Sequence, residues 1–431
     1  MHRKTEPNPS GFRLKWQTSS ACHDRSLALT HDARRLEPFM KHIASLLLST
    51  GLLAACTSTG PSSPETSSYG SAIEALNVYY RSIPASELPA GPELKELDLS
   101  KPLTRIMVAS CNDEEKPDPA LASIAREDAD LFLFIGDNVY GDMDGRSYVS
   151  FDVELAELRE SYNDLADMPE YNAVADAMPI LATWDDHDFG LNDDGEGFPA
   201  HVLSERIFEK FFHMDDTEIV ERPGIYYSRM VGPPGQRTQI IMLDTRYFRS
   251  DLMPTDEYGK TGKERYIPST ADAQQMLGDA QWAWLEEELK KPADLRLLVS
   301  SIQIIPDDHG WESWDKLPAE RDRLYALLEE TEAEGVVFLS GDRHTAFLYK
   351  DEDRGPYPYY ELTASSLNQA FARDPVSTEY DGRQIGDGYT PGNYGEVEID
   401  WEGETIQLTI KSETGEDVSV VGFTFAEINA G

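Results

Sequence analysis

The chain has 431 residues, 40% hydrophobic and 27% charged, a composition that describes a globular protein and leaves room for several ordinary domains or one large layered one. Acidic residues outnumber basic ones 79 to 38, for a formal net charge of −41. Sequence-independent binding to a phosphate backbone needs a basic face, so this balance excludes it, and it counts against electrostatic docking on anionic lipid. An anionic substrate must be drawn in by something locally positive, and a metal ion meets that need.

Residues 1–39 carry no periodic apolar pattern and stand upstream of a better start at Met40, so they read as a spurious extension. Lys41 and His42 lead into an apolar run over 43–55. It is too short to span a bilayer as a stable helix and has the length of a signal-peptide core, which makes 40–55 an expected signal peptide. The run ends Leu53-Ala54-Ala55-Cys56, similar to a bacterial lipobox, in which the Cys becomes the lipidated first residue. Lipidated Cys56 would hold the protein in the bacterial cell envelope, facing the periplasm or exterior; the plainer alternative is an ordinary signal peptide with an unrelated Cys. Residues 56–75 are then expected to be the acylated Cys and a flexible polar tether, and 76–431 a single catalytic domain. Of Cys22, Cys56 and Cys111, only Cys111 is left without an assignment, so no intrachain disulfide is expected despite the export signal.

Along the remaining chain, β-branched apolar runs predict strands over 105–111, 131–137, 179–185, 224–231, 238–244, 295–303 and 336–342. Further strands are expected over 346–350, 359–365, 395–400, 405–412 and 418–425. Between the early ones lie helical patterns over 118–127, 169–177, 201–212, 271–289 and 320–331. The fourth is clearest: Trp282, Leu285 and Leu289 recur at three- and four-residue steps, with Glu286, Glu287 and Lys290 opposite. This alternation predicts an α/β layered architecture followed by a strand-rich end.

Four of the runs finish in chemistry: Ala109-Ser110-Cys111-Asn112, Ile135-Gly136-Asp137-Asn138-Val139-Tyr140, Trp184-Asp185-Asp186-His187-Asp188 and Leu339-Ser340-Gly341-Asp342-Arg343-His344. In open α/β sheets the ligand site lies off the carboxyl ends of strands. A single Gly-Asp turn is common punctuation, and a lone His beside acids is an ordinary hydrogen-bonded residue; four such endings together point to a metal site. Asp137, Asp186, Asp342 and His344 offer oxygen and nitrogen ligands for hard and borderline cations, while a thiolate and a phenolate favour trivalent iron. Adjacent cations can clamp a phosphoryl group and supply a hydroxide nucleophile.

These motifs, with Asn192, Leu243-Asp244-Thr245-Arg246, Gln281-Trp282-x-Trp284-Leu285, Ser300-Ser301-x-Gln303 and Gly310-Trp311-Glu312-x-Trp314, resemble the alkaline phosphatase D (PhoD-like) family of calcineurin-like metallophosphoesterases. The resemblance covers about residues 104–370 in the same order. It implies a four-layer αββα sandwich, here with additional C-terminal strands, and a metal cluster at the strand ends. By that resemblance Cys111 and Tyr140 bind Fe3+, and Asp137 bridges it to Ca2+ or other divalent metals. Asp342 and His344 complete the cluster, and Asn192 joins the outer metal or phosphate contacts. Asp186 stands where the fold usually carries a metal-binding Asn, and His187 lies near the leaving oxygen or the phosphate. Arg246 either orients the phosphate or forms an ion pair with Asp244, so His187, Asp186 and Arg246 are the expected catalytic set. Larger relatives carry a β-rich domain before the Ser-Cys motif and a covering C-terminal segment, neither recognisable here. The implied function is an exported, lipid-anchored hydrolase of small phosphate esters, touching the membrane only through its anchor. A phospholipase-type phosphodiesterase and a catalytically inactive surface-binding lipoprotein are the alternatives.

Overall fold

A computed structural model describes residues 64–145, 147–371, 379 and 381–430, with side chains from residue 70 onward. The expected extension, signal peptide and Cys56 lie outside the described residues. The chain divides into two units at residues 72 and 73, and the described residues from 73 onward form the larger, compact one. Residues 64–75, expected as the end of a flexible tether, instead lie in helix α1, Pro64–Ser82. Leu76 and Tyr80, four residues apart, are both buried, a helical face that the preceding Ser- and Thr-rich composition conceals.

Two six-stranded sheets form the body of the larger unit. The first has the order β14-β13-β12-β1-β2-β5, built from β1 (Arg105–Ala109), β2 (Leu131–Ile135), β5 (Ile180–Thr183), β12 (Asn393–Asp400), β13 (Thr405–Ser412) and β14 (Asp417–Thr424). β1, β2 and β5 run parallel, while β12 joins β1 antiparallel, pairing Met107 with Glu396. The second sheet has the order β10-β11-β9-β8-β7-β6, from β6 (Tyr227–Val231), β7 (Thr238–Met242), β8 (Leu295–Val299), β9 (Val336–Ser340), β10 (Phe347–Asp351) and β11 (Tyr359–Thr363). Its four inner strands are parallel. A short hairpin of β3 (Met143–Asp144) and β4 (Ser147–Tyr148) stands apart.

Every residue of β2, β7, β8, β9 and β11 is buried, because each strand is covered on both faces. On one outer face lie α2 (Pro119–Ile124), α3 (Ala156–Asp167), α4 (Pro169–Ala177) and α6 (His201–Phe211), where Tyr171 of α4 packs on Phe134 of β2 at 6.2 Å between ring centres and on Phe211 of α6. On the other lie α7 (Gly278–Leu289) and α8 (Pro318–Glu330), where Tyr325 packs edge-on to Phe338 of β9. Between the sheets, the Tyr227 hydroxyl donates to the carbonyl of Ala182 at 3.0 Å, and a Cβ added to Gly395 would meet Leu362 at 2.7 Å. Helix, sheet, sheet, helix is the expected αββα sandwich, and β12–β14 are the added C-terminal strands.

The four runs that end in chemistry outlast their strands by two residues, and those residues turn into the loops that carry it. A parallel bridge from Ser110 to Ser365 ties the two sheets together at this edge. The helix expected over 271–289 begins only at Gly278, whose φ of +70° cannot continue a right-handed helix backwards. α3 and the β3–β4 hairpin had no counterpart among the predicted elements.

Candidate metal centre

At the carboxyl ends of β1, β2 and β9 the backbone leaves the sheet in a left-handed conformation. Cys111 has φ 61°, Asp137 47°, Asp342 64° and His344 51°. Such a conformation costs about 1–3 kcal/mol per non-glycine residue and persists only where its surroundings over-determine it. Four neighbouring chemistry-bearing residues share it, turning their side chains toward one point. Gly136 makes the crossing possible: its φ is +113°, and a Cβ there would lie 2.7 Å from that of Asp185. After β5, Asp185 precedes the short helix α5 (Asp186–Phe189), and its backbone amide donates to Asp188 Oδ2 at 3.0 Å. The Asp188 carboxylate also accepts from the Asn138 amide at 3.1 Å and the Tyr162 hydroxyl at 2.9 Å, fixing the β2 loop against this turn.

Ligand atoms of Cys111, Asp137 and His344 lie within 4.8 Å of one another, as do those of Asp137, Asp185, Asp186 and Asp342. Asp137 belongs to both groups and joins them. The Tyr140 hydroxyl sits 2.9 Å from His344 Nε2 and 3.4 Å from Asp137 Oδ2, and Cys111 Sγ is 3.5 Å from the same oxygen. Among the described residues, the buried oxygens Asp137 Oδ1, Asp185 Oδ2 and Asp186 Oδ1 have no hydrogen-bond partner. Burial raises the Asp137 carboxyl well above its ordinary range, and the neighbouring Asp186 and Cys111 raise it further. Asp342 is raised likewise by burial and by Asp185. Burial pushes the Cys111 thiol up to about 12 and the Tyr140 phenol well up. Crowded acids with orphaned oxygens are costly alone and favourable around cations, so this donor set fits a metal cluster. The sulfur, phenol and imidazole on one side and the carboxylates on the other fit a transition-metal ion and a hard, oxygen-preferring ion respectively.

His187 lies beside the cluster. Burial alone would depress its pKa, but the carboxylates of Asp186 and Asp142 hold it up to about 10. Its Nδ1 is 2.5 Å from Asp142 Oδ1, and its ring packs 4.3 Å from that of Tyr140. For Asp186, burial would raise the pKa, but His187 and Arg246 together hold it below the ordinary range. Asn192 stands at the rim, where its side-chain oxygen accepts from the Tyr148 hydroxyl at 2.9 Å. Its backbone amide donates to Asp142 at 2.9 Å.

Arg246 corrects the expectation of an Asp244 ion pair. Its guanidinium is fully buried and bonds Asp185 Oδ1 through Nε at 2.5 Å and Glu312 through Nη1 at 2.7 Å, with Asp186 at 3.8 Å. Asp244 receives only the Arg246 backbone amide, while its other contacts include the Trp184 indole. Committed to these carboxylates, Arg246 holds the cluster's floor. The sequence reading assigned no role to Asp142, Asp185, Asp193 or Glu312. Asp193 and Glu312 form a further group with Asp186 within 4.8 Å, and the Asp193 amide donates to Asp186 Oδ2 at 2.6 Å. Asp185 and Glu312 stood inside the quoted motifs, a signal that could have found them; Asp142 and Asp193 lie in irregular loops that carried none.

The sequence profile of the family described as PhoD-like phosphatase matches residues 106–205 and 220–405. Alkaline phosphatase D of Bacillus subtilis (strain 168) is 24% identical over 309 residues, which is 62% of this chain and 51% of that protein. The chain therefore spans about half the length of that curated relative. A solved structure described as "Structure of PhoD" is similar with a TM-score of 0.57 at 17% identity, over 76% of this chain and 73% of that one, a likeness of fold.

Proposed function

The chain belongs to the PhoD-like phosphatase family, and from that premise we propose that it is a metal-dependent hydrolase of phosphate esters, exported and held to the cell envelope by lipid on Cys56. The observation that carries the catalytic part is the cluster of acids with three orphaned, buried oxygens at the carboxyl ends of both sheets. In this reading Cys111, Tyr140, Asp137 and His344 would hold Fe3+, and Asp137, Asp186 and Asp342 would hold Ca2+, with Asn192 at the rim. Bound cations would supply Lewis acidity, able to neutralise phosphoryl charge and to lower the pKa of water. The remaining work falls to the side chains. His187, kept protonated by Asp142 and Asp186, is placed to give a proton to the departing alkoxide or to neutralise it. Arg246 acts as a positioning residue by holding Asp185 and Glu312. The apolar run over 43–55 and the small residues before Cys56 support export and lipidation, and among the described residues no helix is long and apolar enough to cross a membrane.

The test is hydrolysis of 4-nitrophenyl phosphate and bis(4-nitrophenyl) phosphate before and after exhaustive chelation, with metals counted by elemental analysis. Turnover of at least one ester, lost on chelation and regained with metal, is expected. Full turnover without metal would overturn the reading. The iron assignment has its own signature: a visible absorption band from phenolate and thiolate donation, altered by Tyr140→Phe. A colourless, fully active, iron-free enzyme would remove iron while leaving a different metal pair.

A further inference from the structure

A chain with 79 acidic and 38 basic residues must spend its cations carefully around an anionic substrate, and most of the arginines here are already committed. Arg246, Arg249 and Arg343 are buried, and each is matched to a carboxylate: Arg246 to Asp185 and Glu312, Arg249 to Glu312, Arg343 to Glu379. Arg265 differs. Its side chain is 33% exposed, and its Nη1 binds Asp193 Oδ2 at 2.8 Å. Among the described residues, its Nε and Nη2 donate no hydrogen bond.

Its position is fixed from three directions. The Tyr266 hydroxyl shares Asp193 Oδ2 at 2.7 Å, so Asp193 is held toward the guanidinium. Asp193 in turn reaches Asp186 through its amide, which leaves Arg265 one residue away from the cluster. The guanidinium carbon lies 5.4 Å over the Trp311 ring, which packs against Phe371, which packs 5.3 Å from His344. Arg265 is also near enough to Tyr148 and His344 to act on both electrostatically. A planar cation with spare donors, oriented by an aromatic face and a carboxylate, is built to meet an oxyanion.

We propose that Arg265 is a substrate-binding residue that reads the second negative charge of a phosphate monoester. This rests on the phosphoesterase reading and deepens it to a substrate class. Near pH 8 a monoester carries close to two charges and three terminal oxygens, because its second ionisation lies near about pH 6. A diester carries one charge, and its second ester oxygen bears an organic group that offers a guanidinium no charge to bind. Arg265 therefore favours monoesters, and its removal lowers discrimination without disturbing the cluster below.

The experiment compares wild type, Arg265→Gln and Arg265→Lys. Kinetics are measured with 4-nitrophenyl phosphate and bis(4-nitrophenyl) phosphate, binding of inorganic phosphate by calorimetry, and metal content by elemental analysis. For Arg265→Gln, KM for the monoester and Kd for phosphate rise by about 10- to 100-fold, the loss of a charge-assisted hydrogen bond. Diester KM and metal content stay near wild type, and Arg265→Lys recovers part of the loss. Equal losses on both esters, unchanged phosphate binding, or metal lost in proportion to activity would each overturn the inference. A wild-type protein that neither cleaves an ester nor binds phosphate removes the phosphoesterase reading as well; one that does both, with Arg265→Gln indistinguishable from it, removes this inference alone.

Discussion

Asp137 is buried beside Cys111, Asp185 and Asp186, with one carboxylate oxygen unpartnered and its backbone in the left-handed region. Without a cation its charge is unfavourable; with one, the same charge becomes a ligand. Asp137→Asn should therefore change sign with metal content. In chelated protein near pH 8 the substitution removes a carboxyl whose burial is costly, whether it stays charged or keeps a proton that the unfolded chain releases, and raises the melting temperature by a few degrees. In metal-loaded protein it lowers both metal content and melting temperature, because binding to the folded state is itself a stabilisation. Thermal melts with and without chelator check this, and a shift of the same sign in both states would sink the account. Cys111, Asp137 and Asp342 were legible in the sequence because each closes an apolar run, Asp186 and His344 because they follow such an end by one and two residues, and Tyr140 because it follows Asp137 by three. Arg246 was harder to read. Asp244 is its sequence neighbour, but Asp185 from the facing sheet and Glu312 from a distant loop take its guanidinium, and no local pattern encodes that choice.

Helix α2 shows the same tension between a polar group and its burial at the level of an element. Asp118 caps it by accepting from the Leu121 amide at 2.8 Å, while its other oxygen is buried without a partner. Burial raises its pKa to about 7 despite the amides that favour the charged form. An ordinary carboxyl titrates near about 4, so between these values the folded chain holds a proton that the unfolded chain has released. The contribution of this group to stability consequently falls as pH rises from about 4 to about 7. Asp118→Asn keeps a competent cap and removes the ionisation, so its melting temperature relative to wild type should be more favourable at pH 8 than at pH 5. A difference that is flat, or that runs the other way, would show that Asp118 titrates normally. Strands were easier to read than helices for a related reason. A strand such as β2, Leu-Phe-Leu-Phe-Ile, is apolar throughout, whereas α3 buries Leu158, Ser161, Tyr162 and Leu165 and follows Leu155, whose side chain makes no capping bond. Its helical spacing is present, but polar members dilute it.

Across the whole molecule, the layer architecture follows from alternating strands and helices, but the strand order does not. β12 inserts beside β1 from almost three hundred residues away, a pairing set by tertiary packing. Net charge is the global property the sequence states outright, and −41 has a kinetic consequence. Under the proposed function, phosphate esters would approach through a repulsive field that extends well beyond contact distance. Added salt shortens the reach of that field, to about 10 Å at 0.1 M, while short contacts inside the site are screened much less. The value of kcat/KM should therefore rise with salt at low ionic strength, opposite to an enzyme that steers its substrate with a basic surface. Because the repulsion scales with substrate charge, the slope for 4-nitrophenyl phosphate should be about twice that for bis(4-nitrophenyl) phosphate near pH 8, where they carry about two charges and one. Initial rates over a sodium chloride series, with metal content held constant, measure both slopes. A fall in kcat/KM for both esters would mean that the local positive field of the metal cluster and Arg265 governs approach, and that the acidic surface does not.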